Sequence, residues 1–441
     1  MKGRLGLRGV IGAALVVGGC VFGPRAMAEE HATAAANPPV GMPEALTLDW
    51  CLARAREANP ALMGAQASAE AAASRVAHAG ALEDPRFAYE ASNIPTGDFD
   101  FDSTPLSGHQ LGLRQKLPFP GLLSTRKRAA RRSAEAATLM VDDHTLATDG
   151  EVEMAWAEVG FAQRALEITR RNVALLRQLS ATAESRYRVG GGLQQDVLRA
   201  QVELTALIQE ELRRQEAVEA VETRLIALLD LPAAERLPPV VGLEFGADEP
   251  ELPPLLASIE DRNPRLRARR KAVEAAEARS RAAELEGLPD LDVGIGYRIR
   301  QNVAGDPVDG DDFISAGFTV RLPVDRSKWR ARVSEEHALL RRARADLREA
   351  RAEISARTRR SHAALVRAAA EESLLATGLV PQARQSLKSS RSAYEVGRID
   401  FLRLLDSQVR LLDAELRLAR ARADKRVAFA SLEAAAGEKL R

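Results

Sequence analysis

The sequence lacks most of the features that mark enzymes, metal sites and disulfide-rich folds. Its 441 residues include 2 cysteines, 6 scattered histidines and only 4% aromatic residues. It contains no Cys/His cluster at metal-ligand spacing, no phosphate-binding loop, no dinucleotide fingerprint and no nucleophile elbow. The net charge is +1, so no strong field favours nucleic acid as a partner. We therefore expect no catalytic activity, no cofactor and no resident metal.

The N-terminus predicts export from the cytoplasm. Residues 2–8 carry three basic side chains, an apolar segment spans Val10–Phe22, and a small-residue cleavage signature ends at Ala28. This pattern predicts a signal peptide over residues 1–28. An alternative is lipoprotein processing, which would leave Cys20 lipidated. Cleavage after Ala28 would leave Cys51 as the sole cysteine, so no intramolecular disulfide could form. Beyond this segment no apolar run is long enough for a transmembrane helix.

The chain is instead rich in charged and helix-forming residues. Charged residues make up 28% of the sequence, a profile typical of long helices. Helix-forming sequence runs from about Leu123 to Val189, on the order of 100 Å if continuous. A second stretch runs from about Arg326 to Val396, with a kink expected near Gly378 and Pro381. Adjacent apolar pairs recur every seven residues along the last helix, which favours a barrel of helices over a simple antiparallel coiled coil.

Four segments alternate between apolar and polar residues, as β-strands do. They span about 86–94, 109–117, 290–300 and 313–322. Each has about the length of a transmembrane strand, with one apolar and one polar face. Alternating strands more often cover a soluble core, but four strands form too small a sheet for helices of this length. Four strands also cannot close a barrel, and an open sheet edge is not viable in lipid. The sequence therefore predicts a β-barrel shared between several copies of the chain.

The sequence also repeats itself. The segment Tyr187–Val202 returns 207 residues later as Tyr394–Val409, and earlier landmarks recur at nearly the same spacing. A period this long indicates two similar half-molecules rather than a solenoid. We predict one repeat over residues 29–230, a proline-rich linker over 231–253 and a second repeat over 254–441. The recurring landmarks are Asn59-Pro60 with Asn263-Pro264, and Leu117-Pro118 with Leu322-Pro323.

These motifs, in this order and duplicated, resemble the TolC-like outer-membrane efflux proteins. The resemblance covers nearly the whole mature chain. It implies a mainly helical fold with a small β part, in which three protomers share a 12-stranded transmembrane barrel and a long α-helical barrel in the periplasm. It also implies an exit duct that docks to a periplasmic adaptor protein and to an inner-membrane pump of the resistance-nodulation-division type.

The resemblance assigns roles to residues near the two Val-Gly turns. It implies that these turns form periplasmic tips that dock the adaptor, and that acidic residues beyond the second tip line a closed aperture. The alternative for Asp400, Arg403 and Asp406 is simple pairing along a solvated helix face. The expected tip residues are Val189, Gly190, Gly191, Val396, Gly397 and Arg398, and the expected aperture residues are Asp196, Tyr394, Asp400, Arg403 and Asp406.

The sequence says less about the substrate. The segments Leu117–Gly121 and Gly192–Leu198 resemble the branch that exports heavy-metal cations. Drug or dye export and protein secretion are alternatives, and a periplasmic coiled-coil adaptor or scaffold is an alternative of a different class. The acidic segment Asp306–Asp312 does not match a calcium-binding loop. We expect it to be a solvated extracellular loop.

Overall fold

Long α-helices and one small sheet make up the computed structural model. It describes residues 41–440, except 98–99, 102–103, 234, 245, 247–248 and 309. The predicted signal peptide and Cys20 lie outside the described residues. The helices are α1 Leu48–Ala58, α2 Pro60–Ala79, α3 Leu122–Arg188, α4 Gln194–Leu228, α5 Leu252–Arg262, α6 Pro264–Glu286, α7 Arg326–Leu374, α8 Val380–Glu395 and α9 Phe401–Ala436, and the strands are β1 Arg86–Ser92, β2 Gly108–Leu117, β3 Asp290–Ile299 and β4 Phe313–Arg321.

The two Asn-Pro motifs have the same structural role in both halves. Asn59 caps α2 by accepting hydrogen bonds from Ala61 N and Leu62 N, at 3.0 and 3.2 Å. Its amide also donates to Leu228 O, the last residue of α4, at 3.0 Å. Asn263 caps α6 in the same way and donates to Ala436 O, the last residue of α9, at 3.0 Å. Each motif therefore joins the first helices of its half to the last, which explains why it occurs twice.

The elements pack in one consistent order from side to side. The sheet runs β1-β2-β3-β4 with every pair antiparallel. Near the sheet, α2 packs on α3, α3 on α6, and α6 on α7. Farther away, α4 packs on α3, α3 on α9, and α9 on α7 and α8. We call β1, α2 and α4 the first edge, and β4, α7 and α8 the second edge. Both edges are open in the single chain.

The strand register sorts apolar and polar side chains onto opposite faces of the sheet. Tyr297 lies opposite Leu111 on one side and Ile314 on the other. The same register brings the other alternating apolar residues of all four strands onto this face. Its side chains are exposed, with Phe87 at 70%, Ile314 at 74% and Phe318 at 73%. A sheet face this apolar and this open requires an apolar environment or a covering partner.

The predicted kink in the second long helix is a short π-helix. Leu375–Leu379 forms one π-helical turn that joins α7 to α8, and Pro381 follows it in the first turn of α8. Proline has no backbone N–H, so it cannot donate the hydrogen bond that a continuous α-helix requires at this position. The π-helical turn changes the hydrogen-bond pattern just before Pro381 and so accommodates the missing donor.

Within the described residues, no helix combines the length and the apolar character needed to cross a membrane.

Cys51 is fully buried in α1, and this burial raises the pKa of its thiol to about 12. The thiol is therefore uncharged and unreactive at neutral pH.

A buried ion pair links the two halves of the chain. Glu153 of α3 is 0% exposed and Arg426 of α9 is 5% exposed, and their side chains are 2.8 Å apart. The Arg426 guanidinium also lies 5.5 Å from the centre of the Trp156 ring. Each charge stabilises the other, because neither side chain is accessible to water.

We expect Arg426→Met to lower the free energy of unfolding by about 3–5 kcal/mol, since it removes the guanidinium that balances the buried charge of Glu153. Denaturant unfolding followed by helical circular dichroism measures this change. The control is Arg417→Met, which breaks an exposed pair with Asp413 at 2.8 Å and should cost less than about 1 kcal/mol. Equal losses in the two variants would contradict the role of the buried pair.

Candidate functional site

The two Val-Gly turns have the same backbone structure. Gly190 and Gly397 adopt φ of 76° and 73°, which is the left-handed region that favours glycine. Gly191 N donates to Arg186 O at 2.9 Å, and Arg398 N donates to Ala393 O at 2.8 Å. Both α3 and α8 therefore end in the glycine motif that commonly terminates helices. Val189 and Val396 point outward, at 80% and 68% exposure.

The surroundings of the two turns differ although the sequence repeats. Tyr394 is 4% exposed and packs in a core of α3, α4, α8 and α9, whereas its counterpart Tyr187 is 44% exposed. Leu405 is 4% exposed, and its counterpart Leu198 on α4 is 55% exposed. The reason is position: α9 lies between α3 and α8, while α4 lies at the open first edge.

One arginine ties the two tips together. Arg186, near the end of α3, donates a hydrogen bond from its guanidinium to the carbonyl oxygen of Tyr394. The same guanidinium lies 4.7 Å from the centre of the Tyr394 ring, and Phe401 contacts the ring edge-on at 5.7 Å. Burial raises the pKa of the Tyr394 phenol, Arg186 opposes this rise, and the nearby Asp196 adds to it. Tyr394 is therefore a neutral, buried anchor in the single chain.

Three of the predicted aperture residues, Asp400, Arg403 and Asp406, lie along one exposed face at the start of α9. Asp400 caps the helix by accepting from Arg403 N at 3.1 Å, and its carboxylate lies 3.9 Å from the Arg403 guanidinium. Asp406 pairs with Arg410 at 2.8 Å. One heptad farther along, Asp413 and Arg417 repeat this pairing at 2.8 Å. The face is thus a ladder of alternating charges in which each aspartate has an arginine close by.

Asp196 lies apart from this ladder, in the first turn of α4. There its negative charge is favourable, because the N-terminal end of a helix is partly positive. The residues proposed for the aperture therefore divide into an α9 ladder and two residues packed around the tips.

The acidic loop between β3 and β4 is organised by its own residues. The Asp306 side chain is 2% exposed and pairs with the buried Arg300 guanidinium. Asp306 also accepts from Val308 N and Gly310 N at 3.3 and 3.1 Å. Asp312 accepts from Arg300 N at 3.0 Å and from the Tyr297 hydroxyl. The expectation of a solvated loop is wrong for Asp306, because the loop folds around this internal ion pair.

The fold is similar to several solved outer-membrane channels. The channel OprN shares 19% identity, covers 89% of this chain and 90% of its own length, and has a TM-score of 0.72. VceC from Vibrio cholerae shares 18%, covers 89% and 97%, and has a TM-score of 0.72. CusC, described in connection with transmembrane channel formation, shares 15%, covers 89% and 92%, and has a TM-score of 0.70. No curated protein sequence matches the chain.

The sequence profile named outer membrane efflux protein matches twice, at residues 51–230 and 255–438. The chain belongs to the outer membrane efflux protein family. The two matches fall one in each half, as the predicted pair of repeats requires. This efflux protein is a passive outer-membrane channel rather than an enzyme, and the TolC-like fold predicted from its motifs is confirmed.

The sequence indicates the two helix-ending turns and the charged residues of α9, but the contacts of Arg186 and Arg410 near them were not predicted. Arg410 could have been found, because an aspartate four residues before an arginine on a helix is a recognised pairing signal. Arg186 could not, because its partner Tyr394 is 208 residues away.

We expect Arg186→Ala to loosen the second tip. Loss of one charge-assisted hydrogen bond should raise local opening by roughly 10- to 100-fold. Hydrogen–deuterium exchange of residues 390–402 measures this opening. The control is Arg188→Ala, because Arg188 is exposed and, within the described part of the chain, forms a single long ion pair, with Glu184 at 3.9 Å. Unchanged exchange in Arg186→Ala would show that the link does not hold the tip.

Proposed function

We propose that this efflux protein works as a homotrimer that conducts substrates passively from the periplasm to the cell exterior. Its sheet would form one third of a 12-stranded barrel, and its helices one third of a helical duct. Both open edges support this proposal. A heterologous contact between the first edge of one copy and the second edge of the next closes into a ring.

The edges match each other in charge. Helix α4 carries seven acidic and four basic residues, while α8 carries three basic and one acidic residue. Opposite net charges at facing edges steer copies into register. The exposed Leu198 and Val202 of α4, at 55% and 66%, would lose contact with water against α8 of the next copy.

Nearer the sheet, the two edges also match in the small size of their side chains, since both α2 and α7 present alanines. Nine of the 20 residues of α2 are alanine. On α7 a series of exposed alanines recurs at steps of seven and four, which places them on one helix face. Two alanine faces allow close helix approach without side-chain ordering cost. The α7 alanines are Ala338, Ala345, Ala352, Ala356 and Ala363.

We propose that the exposed tips dock a periplasmic adaptor, which couples the duct to an inner-membrane pump of the resistance-nodulation-division type. The exposed valines support this, since Val189 and Val396 are large apolar side chains at the end of a long helical hairpin. Gly191 and Arg398 follow the two glycines and would set the detail of the contact.

We propose heavy-metal cations as the substrate, on the resemblance of the segments Leu117–Gly121 and Gly192–Leu198. One observation favours organic compounds as a second candidate. Asp406, the acidic residue best placed to form a ring, already pairs with Arg410 at 2.8 Å. A ring of three such pairs would carry little fixed charge and would not concentrate cations.

Growth of a deletion strain at graded concentrations of metal ions, dyes and antibiotics tests both the edge-to-edge trimer and the substrate assignment. We expect the wild-type chain to restore resistance to metal ions and Leu198→Asp to fail, because a charge at the first edge would prevent closure. The control is Gln195→Asp, an exposed polar position on the same helix. Rescue by Leu198→Asp would contradict the edge-to-edge trimer, and sensitivity confined to organic compounds would overturn the metal assignment.

A second prediction concerns the aperture. We expect Arg410→Ala to increase the preference of the channel for cations, since it unmasks three copies of Asp406 around the axis. The reversal potential in a planar bilayer under a KCl gradient measures this preference. Arg417→Ala is the control, because it breaks an equivalent pair about 10 Å farther from the tip. If Asp406→Asn in the Arg410→Ala background leaves the potential unchanged, Asp406 does not line the aperture.

A further inference from the structure

The apolar face of the sheet continues beyond the end of β4. Phe318, Val320 and Leu322 alternate along the chain, so Leu322 lies on the same face as the exposed apolar side chains of the strands. Leu322 is 67% exposed, and Val324, two residues later, is 90% exposed. These two side chains mark the level at which the lipid-facing surface gives way to the helices.

A groove lies at this level, between the end of α6 and the start of α7. Its apolar lining includes Leu288, Leu322 and Val324. Its basic lining includes Arg326, Arg330 and Arg341. Because Leu322 belongs to the apolar face of the sheet, the groove opens on the membrane side of the helices and not on the lumen side.

The three arginines of the groove have no acidic partner within the described residues. Arg330 makes one hydrogen bond, from Nε to Arg326 O at 3.4 Å. The acidic side chain of the groove, Glu284, is already bound by Arg281 at 2.5 Å. Several other arginines of α7 are paired, for example Arg344 with Glu277 at 2.8 Å. The groove therefore carries an excess of positive charge beside an apolar surface.

The position of Trp329 supports a membrane boundary here. Its ring lies 5.3 Å from Lys328 Nζ and 5.9 Å from the guanidinium of Arg321, measured to the ring centre. Tryptophan flanked by basic residues is enriched where membrane proteins meet lipid headgroups. The basic face also continues along α7, because Arg330, Arg341, Arg348 and Arg359 are spaced 11, 7 and 11 residues apart and lie within about 20° of one another.

From these observations we infer that the groove binds an anionic phospholipid of the leaflet nearest the helices. The phosphate and the anionic headgroup would lie against Arg326, Arg330 and Arg341. The upper part of an acyl chain would lie along Leu322 and Val324. A lipid satisfies both halves of the groove, whereas a free anion would leave Leu322 and Val324 in water. The inference rests on the membrane position of the sheet that the proposed function assigns.

The test uses the full chain in nanodiscs of phosphatidylglycerol or of phosphatidylcholine, with native mass spectrometry to count retained lipid. We expect retained phosphatidylglycerol to exceed phosphatidylcholine, and Arg330→Ala/Arg341→Ala to weaken binding by roughly 30-fold. Arg348→Ala/Arg359→Ala is the matched control, since it removes two cations of the same face outside the groove and should retain the lipid.

Equal retention of the two lipids, or unchanged retention in the groove variant, would overturn the inference. So would release of phosphatidylglycerol by millimolar inorganic phosphate, which would show a simple anion site. A disulfide between Val324→Cys and Leu82→Cys of a neighbouring copy would also overturn it, because the groove would then be covered by protein. Assembly into a heat-sensitive trimer is scored in parallel, so that failure of the channel proposal is distinguished from failure of the lipid site.

Discussion

The open edges of the sheet constrain the rest of the structure. Strands β1 and β4 each present a row of unpaired backbone groups, and lipid offers no water to satisfy them. In the proposed homotrimer, other copies of the chain complete the sheet. The helices follow the same side-to-side order, with α2 and α4 at the edge of β1 and α7 and α8 at the edge of β4. The rotation that relates one copy of the proposed trimer to the next would therefore pair the sheet edges and the helix edges at the same time. No separate surface for self-association would be needed.

The duplicated sequence produces two halves that are alike in backbone and different in environment. The Asn59 and Asn263 caps and the Gly190 and Gly397 turns use the same hydrogen bonds. Leu405, after the second turn, is buried, whereas its counterpart Leu198 on α4 is exposed. The repeat therefore preserves the local hydrogen bonds, while the position of each helix in the fold decides burial. In the proposed trimer, the neighbouring copy would cover Leu198.

Most of the fold could be predicted from the sequence, because its determinants are local. Alternation along residues 290–299 predicts a strand, and the Tyr-x-Val-Gly segments predict helix ends, since each signal lies within a few residues. The candidate site could be predicted only in part. The contacts of Arg186 with Tyr394 and of Glu153 with Arg426 join residues more than 200 positions apart, and no periodicity reports them. Arg300 was missed for a different reason, because a loop rich in aspartate suggests solvation until its internal cation is seen.

The distribution of arginine links these observations. On α9, Arg410 and Arg417 lie four residues after Asp406 and Asp413, so the face of the proposed aperture is charged in composition but nearly neutral in net terms. At the start of α7, Arg326 and Arg330 have no such partners within the described residues and lie beside exposed apolar side chains. Free cations attract anions at a membrane surface, whereas paired charges at a constriction let ions of either sign pass with little electrostatic bias. Arginine thus has different roles at the start of α7 and on the exposed face of α9. The net charge of +1 does not show this uneven distribution of charge between the two surfaces. Under the proposed function, selection of the substrate then falls to the partner that loads the duct, and the duct supplies a path with little net charge.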